Sequence, residues 1–350
     1  MEAAERLRGV CRNALRNIFH GNRATDRAAY TRLPRWGKGH RARISPSLEQ
    51  VLTIAAARQE WYIDYAEQHG FPPLPFVGIA ATWDPVATAA AMRETLHFDI
   101  EDRPGTYAEA RRKLIHTFEN LGGLVIVNSM VGDNTRKPLD TTEFRGFSLV
   151  HATAPLVFVN SNQAGYPAQT LAAQIFTLAH EFAHVWRGEG GVGNHYGFIP
   201  ARAEIENWCD HVATEFLVPR DDLRTQVADS SDLSEHLPDL AARYKASTFV
   251  VLYAARNDGI IGTADFRELY VAEENRVTQI LSQKDRSRGG DMRYSRRYRV
   301  GERFMTAVAS ELAAGRILPT EALSLTGIKS MSAFDSFTEF LQKDRANVPS

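Results

Sequence analysis

Cysteine is scarce: the 350-residue chain has two, Cys11 and Cys209, far apart and in no C-x-x-C pattern. That count argues against a disulfide scaffold and against a cysteine-rich zinc module, and it suits a reducing compartment. No apolar run approaches the roughly 18 residues that a bilayer span requires, so no membrane partner is expected. Charge of one sign is also missing, with 41 Lys and Arg against 42 Asp and Glu. The balance speaks against a histone-like DNA coat and against an acidic disordered regulator. The opening MEAAERLRGVCRNALR places charges where a signal peptide needs an apolar core. A soluble, cytoplasmic protein is expected, with 44% hydrophobic and 24% charged residues and neither repeats nor low-complexity segments. Its eleven histidines are left to be explained.

The near-neutral total hides two basic stretches. Residues 1–50 hold eleven bases against four acids, a local charge of +7. Residues 284–303 hold eight bases against three acids, with Tyr294 and Tyr298 interleaved. Either stretch could meet nucleic acid or an acidic partner; the plainer readings are a solvated arm for the first and cation–π packing for the second. Between them the periodicity predicts helices over 47–70, 84–97 and 106–121. The β-rich runs LVIVNSMV (124–131), FRGFSLVHA (144–152) and LVFVN (156–160) follow. A helix over 167–187 ends in GEGG, and from 201 onward the pattern is almost wholly helical. The expected fold class is α+β: mainly helical, with a small, mostly antiparallel sheet beside one central helix and a helical C-terminal region. Three segments are expected: a basic arm (1–46), a central domain (47–228) and a helical region (229–350).

Chemistry concentrates in the central helix, T-L-A-H-E-F-A-H-V-W. His180 and His184 are four apart, so they point from one helical face one turn apart. Two neutral imidazoles at that spacing can occupy two corners of a zinc tetrahedron. Glu181 stands beside the first, where a carboxylate can take a proton from an attacking water. Leu178, Phe182, Ala183 and Val185 are apolar, and ionisable groups on so apolar a helix need a reason to be there.

A third ligand is needed, with one position left for water. The following helix, A-E-I-E-N-W-C-D-H-V-A-T-E-F-L-V-P, offers Glu206, with Asp210 four residues on and on the same face. Asp210 would accept the free N–H of a ligand histidine, or it is an ordinary solvated acid. Glu204 is the nearest competitor for the third position, but it points about 200° away from Glu206, so both cannot face one ion. His211 is rotated off the face. Cys209 reads as a small buried apolar residue, with a fourth-ligand role as the alternative.

Taken together, H-E-F-A-H followed by E-N-W-C-D-H-V-A-T-E-F-L-V-P resembles the ImmA/IrrE family of bacterial metallopeptidases. FRGFSLVHATAPLVFVN is similar to the strand pair before that family's active helix. The resemblance spans about residues 47–335 and is strongest over 144–219. It implies an endopeptidase with one Zn²⁺ per chain, in which Glu206 matches the family's third ligand. It also implies a protein substrate, typically a helix-turn-helix repressor, in a stress-response, mobile-element or phage-defence setting. Many members carry a helix-turn-helix of their own; residues 1–46 show no such pattern, which leaves direct nucleic-acid binding uncertain. Asp210 stands where the family usually has Asn, and an acceptor is retained.

The expected roles follow. His180, His184 and Glu206 hold the metal, Glu181 is the general base, and Asp210 orients a histidine. His195 or Tyr196, in the loop GEGGVGNHYGF, could donate to the oxyanion. An extended substrate could pair with an exposed strand at 144–151 or 155–160. The other readings are a DNA-binding regulator, or a toxin–antitoxin component, that keeps the zinc site without proteolysis.

Overall fold

Helix starts are set by side chains that satisfy the free N–H groups of a first turn. Ser45 accepts from Leu48 N–H ahead of Pro46, opening α1 (Pro46–Gln68). Asp84 accepts from Val86 and Ala87 ahead of Pro85, opening α2 (Pro85–Thr95). Thr106 and Glu109 form a reciprocal capping box at the head of α3 (Tyr107–Asn120). The computed structural model describes residues 45–163, 170–189, 200–228, 233–283 and 292–346. Nearly all of the basic arm, and the loop with His195 and Tyr196, lie outside the described residues.

The strands are β1 (Leu124–Asn128), β2 (Met130–Val131), β3 (Asn134–Pro138), β4 (Gly146–Leu149) and β5 (Leu156–Asn160). Three of them form a sheet in the order β1-β5-β4. β1 pairs with β5 in parallel, Leu124 opposite Leu156 through Asn128 opposite Asn160. β4 pairs with β5 antiparallel, Gly146 opposite Val159. β2 and β3 make a separate antiparallel ribbon. The helices that follow are α4 (Leu171–Arg187), α5 (Pro200–Leu217), α6 (Arg220–Ala228), α7 (Leu233–Tyr244) and α8 (Thr248–Asn257). Then come α9 (Thr263–Gln283), α10 (Met292–Val300), α11 (Glu302–Ala313), α12 (Pro319–Thr326) and α13 (Met331–Ala346). The fold is mostly helical with a small, mostly antiparallel sheet and a helical C-terminal region.

β1 and β5 are buried along their whole length, and their alternation feeds two cores. Val125, Val127, Val157 and Val159 face the cluster built with α2–α8. Leu124, Ile126, Leu156 and Phe158 face the cluster built with α1 and α11–α13. The sheet is therefore the middle of three layers, and its strands read as continuous apolar runs because neither face meets water. The region from 229 onward divides between these layers: α7 and α8 join the first core, and α11–α13 the second. Among the described residues, no helix is long and apolar enough to cross a membrane.

Two buried arginines tie helix ends together through main-chain carbonyls. Arg58 donates to the carbonyls of Leu325, Arg299 and Thr326 at 3.1, 2.8 and 3.2 Å. Arg103 donates to Phe216, Leu217 and Tyr244 at 3.0, 2.5 and 2.9 Å. Those C-terminal carbonyls lack partners within their own helices and carry partial negative charge, so a guanidinium fork suits them. Burial lowers Arg58 to about 10 and Arg103 to about 9, so both stay charged at neutral pH. Several groups of the 284–303 basic stretch turn inward. Arg297 pairs with Glu302, Arg299 with Asp133 and Arg303 with the Tyr62 hydroxyl, while Tyr298 lies under Arg111.

Glu119, at the end of α3, meets this basic segment. Its Oε1 accepts the Arg303 N–H at 3.2 Å, and its carbonyl accepts Arg303 Nη1 at 2.9 Å. Burial pushes its carboxyl from 4.5 up to about 8. A carboxyl raised in the folded state costs stability as pH climbs from about 4.5 to about 8, because the unfolded chain ionises first. Glu119→Gln keeps an acceptor for Arg303 and removes that cost. It is expected to melt higher than wild type at pH 8 and equally near pH 4, with about 1–2 °C for each kcal/mol recovered. Equal melting at both pH values would show that Glu119 does not titrate in this way.

Candidate metal centre

α4 opens at Thr170, whose hydroxyl accepts from Ala173 N–H, and it closes at Gly188 in the left-handed region. Most of its surface is committed to packing. Ile175, Leu178, Ala179, Phe182, Ala183, Val185 and Trp186 are fully or nearly fully buried. Phe182 stacks on Phe118 at 4.3 Å and Trp186 on Phe76 at 4.5 Å. This fixes the rotation of the helix and aims the remaining face, with His180 and His184, at α5.

α5 lies across α4 and supplies Glu206 and Asp210. His180 Nε2 is 3.2 Å from Glu206 Oε2 and 3.2 Å from His184 Nε2; His184 Nε2 is 3.6 Å from the same Glu206 oxygen. The three atoms form a near-equilateral triangle. Donors bonded at about 2.0–2.1 Å to a tetrahedral ion stand about 3.3–3.4 Å apart, so the triangle fits one face of a zinc tetrahedron. The outer nitrogens are committed. His180 Nδ1 donates to Asp210 Oδ1 at 2.9 Å, and His184 Nδ1 donates to the Glu189 carbonyl at 3.2 Å. With Nδ1–H used outward, both Nε2 atoms present lone pairs to each other and to a carboxylate. Three acceptors aimed at one point repel unless a cation or protons lie between them.

The electrostatics agree with that reading. Burial opposes a charged His180, but its bonds to Asp210 and Glu206 outweigh burial and hold its pKa well above 6.5. For His184, burial is likewise overcome by Cys209 and Glu206, and its pKa also lies well above 6.5. Burial alone would raise the Glu206 carboxyl; the two imidazoles hold it well below the ordinary range. Without metal the centre thus holds protons where a cation would sit. The histidine side chains are 14% and 11% exposed and Glu206 is 42% exposed, so solvent reaches the cluster from the α5 side.

Glu181 projects from α4 toward the sheet and is 6% exposed. Burial raises its pKa, against the pull of His184 and His180 and a hydrogen bond from the Ser148 side chain of β4. Gly146, at the start of β4, leaves the space the carboxylate needs: a Cβ there would stand 3.0 Å from Glu181 Oε1 and 2.6 Å from Thr177 Cγ2.

The structure brings His180, His184 and Glu206 together as a group able to hold a metal ion, with Asp210 on His180. Glu204 is exposed and outside the group, as is His211. Cys209 is buried in the apolar core and beside His184, also outside the group. Sequence reasoning missed Ser148 and the Glu189 carbonyl. The glycine opening a strand was the one available hint of a close approach, at Gly146.

The sheet packs on a helix bearing H-E-x-x-H, and the next helix adds a carboxylate, which makes a group able to hold one metal ion. Residues 125–256 match the family model described as the IrrE N-terminal-like domain, peptidase M78, a match that supports an ImmA/IrrE-type metallopeptidase. Residues 300–340 match a domain of unknown function, DUF8813. No curated protein matches the chain. The peptidase match supports a zinc-dependent protease of this type and implies a metal at the His180–His184–Glu206 group.

Two outcomes are expected for metal binding. Asp210→Ala should weaken zinc binding roughly 10–100-fold in chelator competition, whereas Glu204→Ala should leave it unchanged. Because both imidazoles hold protons well above 6.5, binding must displace them, so zinc affinity should rise with pH through and beyond that value. A flat profile above pH 6.5 would contradict the proton-filled centre.

Proposed function

We propose that the protein is a zinc-dependent regulatory endopeptidase. The observation that carries this is the triangle of His180 Nε2, His184 Nε2 and Glu206 Oε2, with the buried Glu181 carboxylate next to it in the helix. Zinc held by His180, His184 and Glu206 would polarise the scissile carbonyl and make water acidic enough to attack near neutral pH. Glu181 takes the proton of the attacking water on a carboxylate oxygen and passes it to the leaving amine nitrogen. Its raised pKa suits both halves of that exchange, since a carboxyl nearer neutrality accepts and returns a proton with less loss. Ser148 and the space at Gly146 hold the carboxylate in place. Asp210 and the Glu189 carbonyl keep the imidazoles in the tautomer that leaves Nε2 free.

Substrate would bind along β4. Of the two strand segments considered, 155–160 is excluded, because β5 lies between β1 and β4 and both its sides are paired. β4 is an edge of the sheet, and its Gly146 and Ser148 touch Glu181. An extended peptide paired with β4 would run past the general base, with main-chain hydrogen bonds supplying affinity and little demand on side-chain identity. The family points to a helix-turn-helix repressor as the cytoplasmic substrate, in a stress-response, mobile-element or phage-defence setting. The pair α7–α8 reads as a structural helical hairpin: Thr248, Val250, Val251, Leu252, Ala254 and Ala255 of its second helix are buried, and the start of that helix has no basic residue to offer a DNA groove.

Glu181→Gln should retain stoichiometric zinc and lose about 10²–10⁴-fold in kcat/KM. To find the substrate, new protein N-termini can be labelled in cells producing wild type or Glu181→Gln. Termini present only with wild type, and lying within a helix-turn-helix protein, are expected. An identical set of termini from both would sink the protease reading.

A further inference from the structure

The C-terminal end of α4 reaches into the metal centre. Gly188 has φ 78° and ψ 11°, and its N–H donates to the carbonyls of His184 and Val185, each at 3.0 Å. Glu189 N–H donates to the His184 carbonyl at 3.2 Å. This is a Schellman closure with His184 at the captured carbonyl. Glu189 also takes a bond in return: its carbonyl accepts His184 Nδ1 at 3.2 Å. His184 is thus tied to one residue through both its main chain and its ring, and the ring bond commits Nε2 to face His180 and Glu206.

Gly188 meets two demands at once. Its φ lies in the left-handed region, and a Cβ there would stand 2.8 Å from Gly78 Cα. Gly78 is itself left-handed, at φ 76°, and donates to the Val185 carbonyl at 3.0 Å; Ala80 donates to the Trp186 carbonyl at 2.9 Å. The two glycines meet backbone to backbone, and the segment around Gly78 closes the last carbonyls of α4. Arg187 braces the same turn, pairing with Glu189 at 3.1 Å and lying over Trp208 of α5 at 4.8 Å.

We propose that this Gly78–Gly188 clasp is a positioning element for the metal: it fixes the turn that presents the Glu189 carbonyl to His184, and so sets that ligand's tautomer and ring orientation. The inference rests on reading His184 as a metal ligand. Gly188→Ala tests it in the full chain, through zinc affinity by chelator competition and the visible spectrum of the cobalt-substituted protein. Gly327→Ala is the control, since Gly327 ends α12 at φ 73° with nothing within 4 Å of an added Cβ. It carries the same backbone strain away from the metal ligands. Zinc affinity is expected to fall roughly 10–100-fold in Gly188→Ala, with an altered cobalt spectrum, and to be unchanged in Gly327→Ala. Wild-type affinity in Gly188→Ala, or an equal loss in Gly327→Ala, overturns the proposal. If Gly188→Ala does not fold, Gly188→Asn tolerates the left-handed region yet still carries the Cβ, and the same comparison applies. His184→Ala separates the two layers of the argument. Zinc retained there refutes the ligand; zinc lost there but bound normally by Gly188→Ala refutes the clasp alone.

Discussion

The packing of α4 on the sheet and on α5 is the constraint from which everything at the centre follows. Two imidazoles and a carboxylate are carried into a largely apolar interior, and such groups are tolerated only when each polar atom has a partner. Asp210 and the Glu189 carbonyl take the outer nitrogens, Ser148 takes Glu181, and Glu206 faces both inner nitrogens. The apolar residues between them, Phe182 and Trp186 above all, fix the helix so that these partners are met together. A half-turn of rotation would bury charge without partners, so the packing and the chemistry select the same orientation.

Much of this was legible in the amino-acid order. His180, Glu181 and His184 lie within one helical turn, where spacing alone fixes relative direction. Glu206 and Asp210 were legible as a pair for the same reason. Which nitrogen each would meet depended on how α5 crosses α4, and no local pattern encodes a crossing. Ser148 and the Glu189 carbonyl escaped for a deeper reason: one contact depends on strand-to-helix register, and the other comes from a main-chain atom that every residue possesses.

The same division holds for the fold. Apolar periodicity marked α1, α2 and α3, and the valine- and leucine-rich runs marked β1 and β5. The order β1-β5-β4, which decides the free edge, is long-range and has no signature in a single strand. β3 was missed because Asn-Thr-Arg-Lys-Pro is exposed throughout and has no apolar alternation. The near-zero net charge likewise concealed that the basic groups of α10 and α11 serve as internal ties to Glu302, Asp133, Tyr62 and Glu119.

The two-sided burial of the sheet also separates two ideas of a domain. The peptidase match begins at residue 125, inside β1, and ends at 256, inside α8. A piece cut at those points would keep every candidate ligand and lose the layer that covers Ile126, Leu156 and Phe158. Its sheet would present a greasy face to water, held otherwise by Phe304, Phe334 and Phe337 from the far end of the chain. The matched span is thus smaller than the span that covers the sheet on both faces, and the tail of the chain acts as the floor under the candidate metal centre.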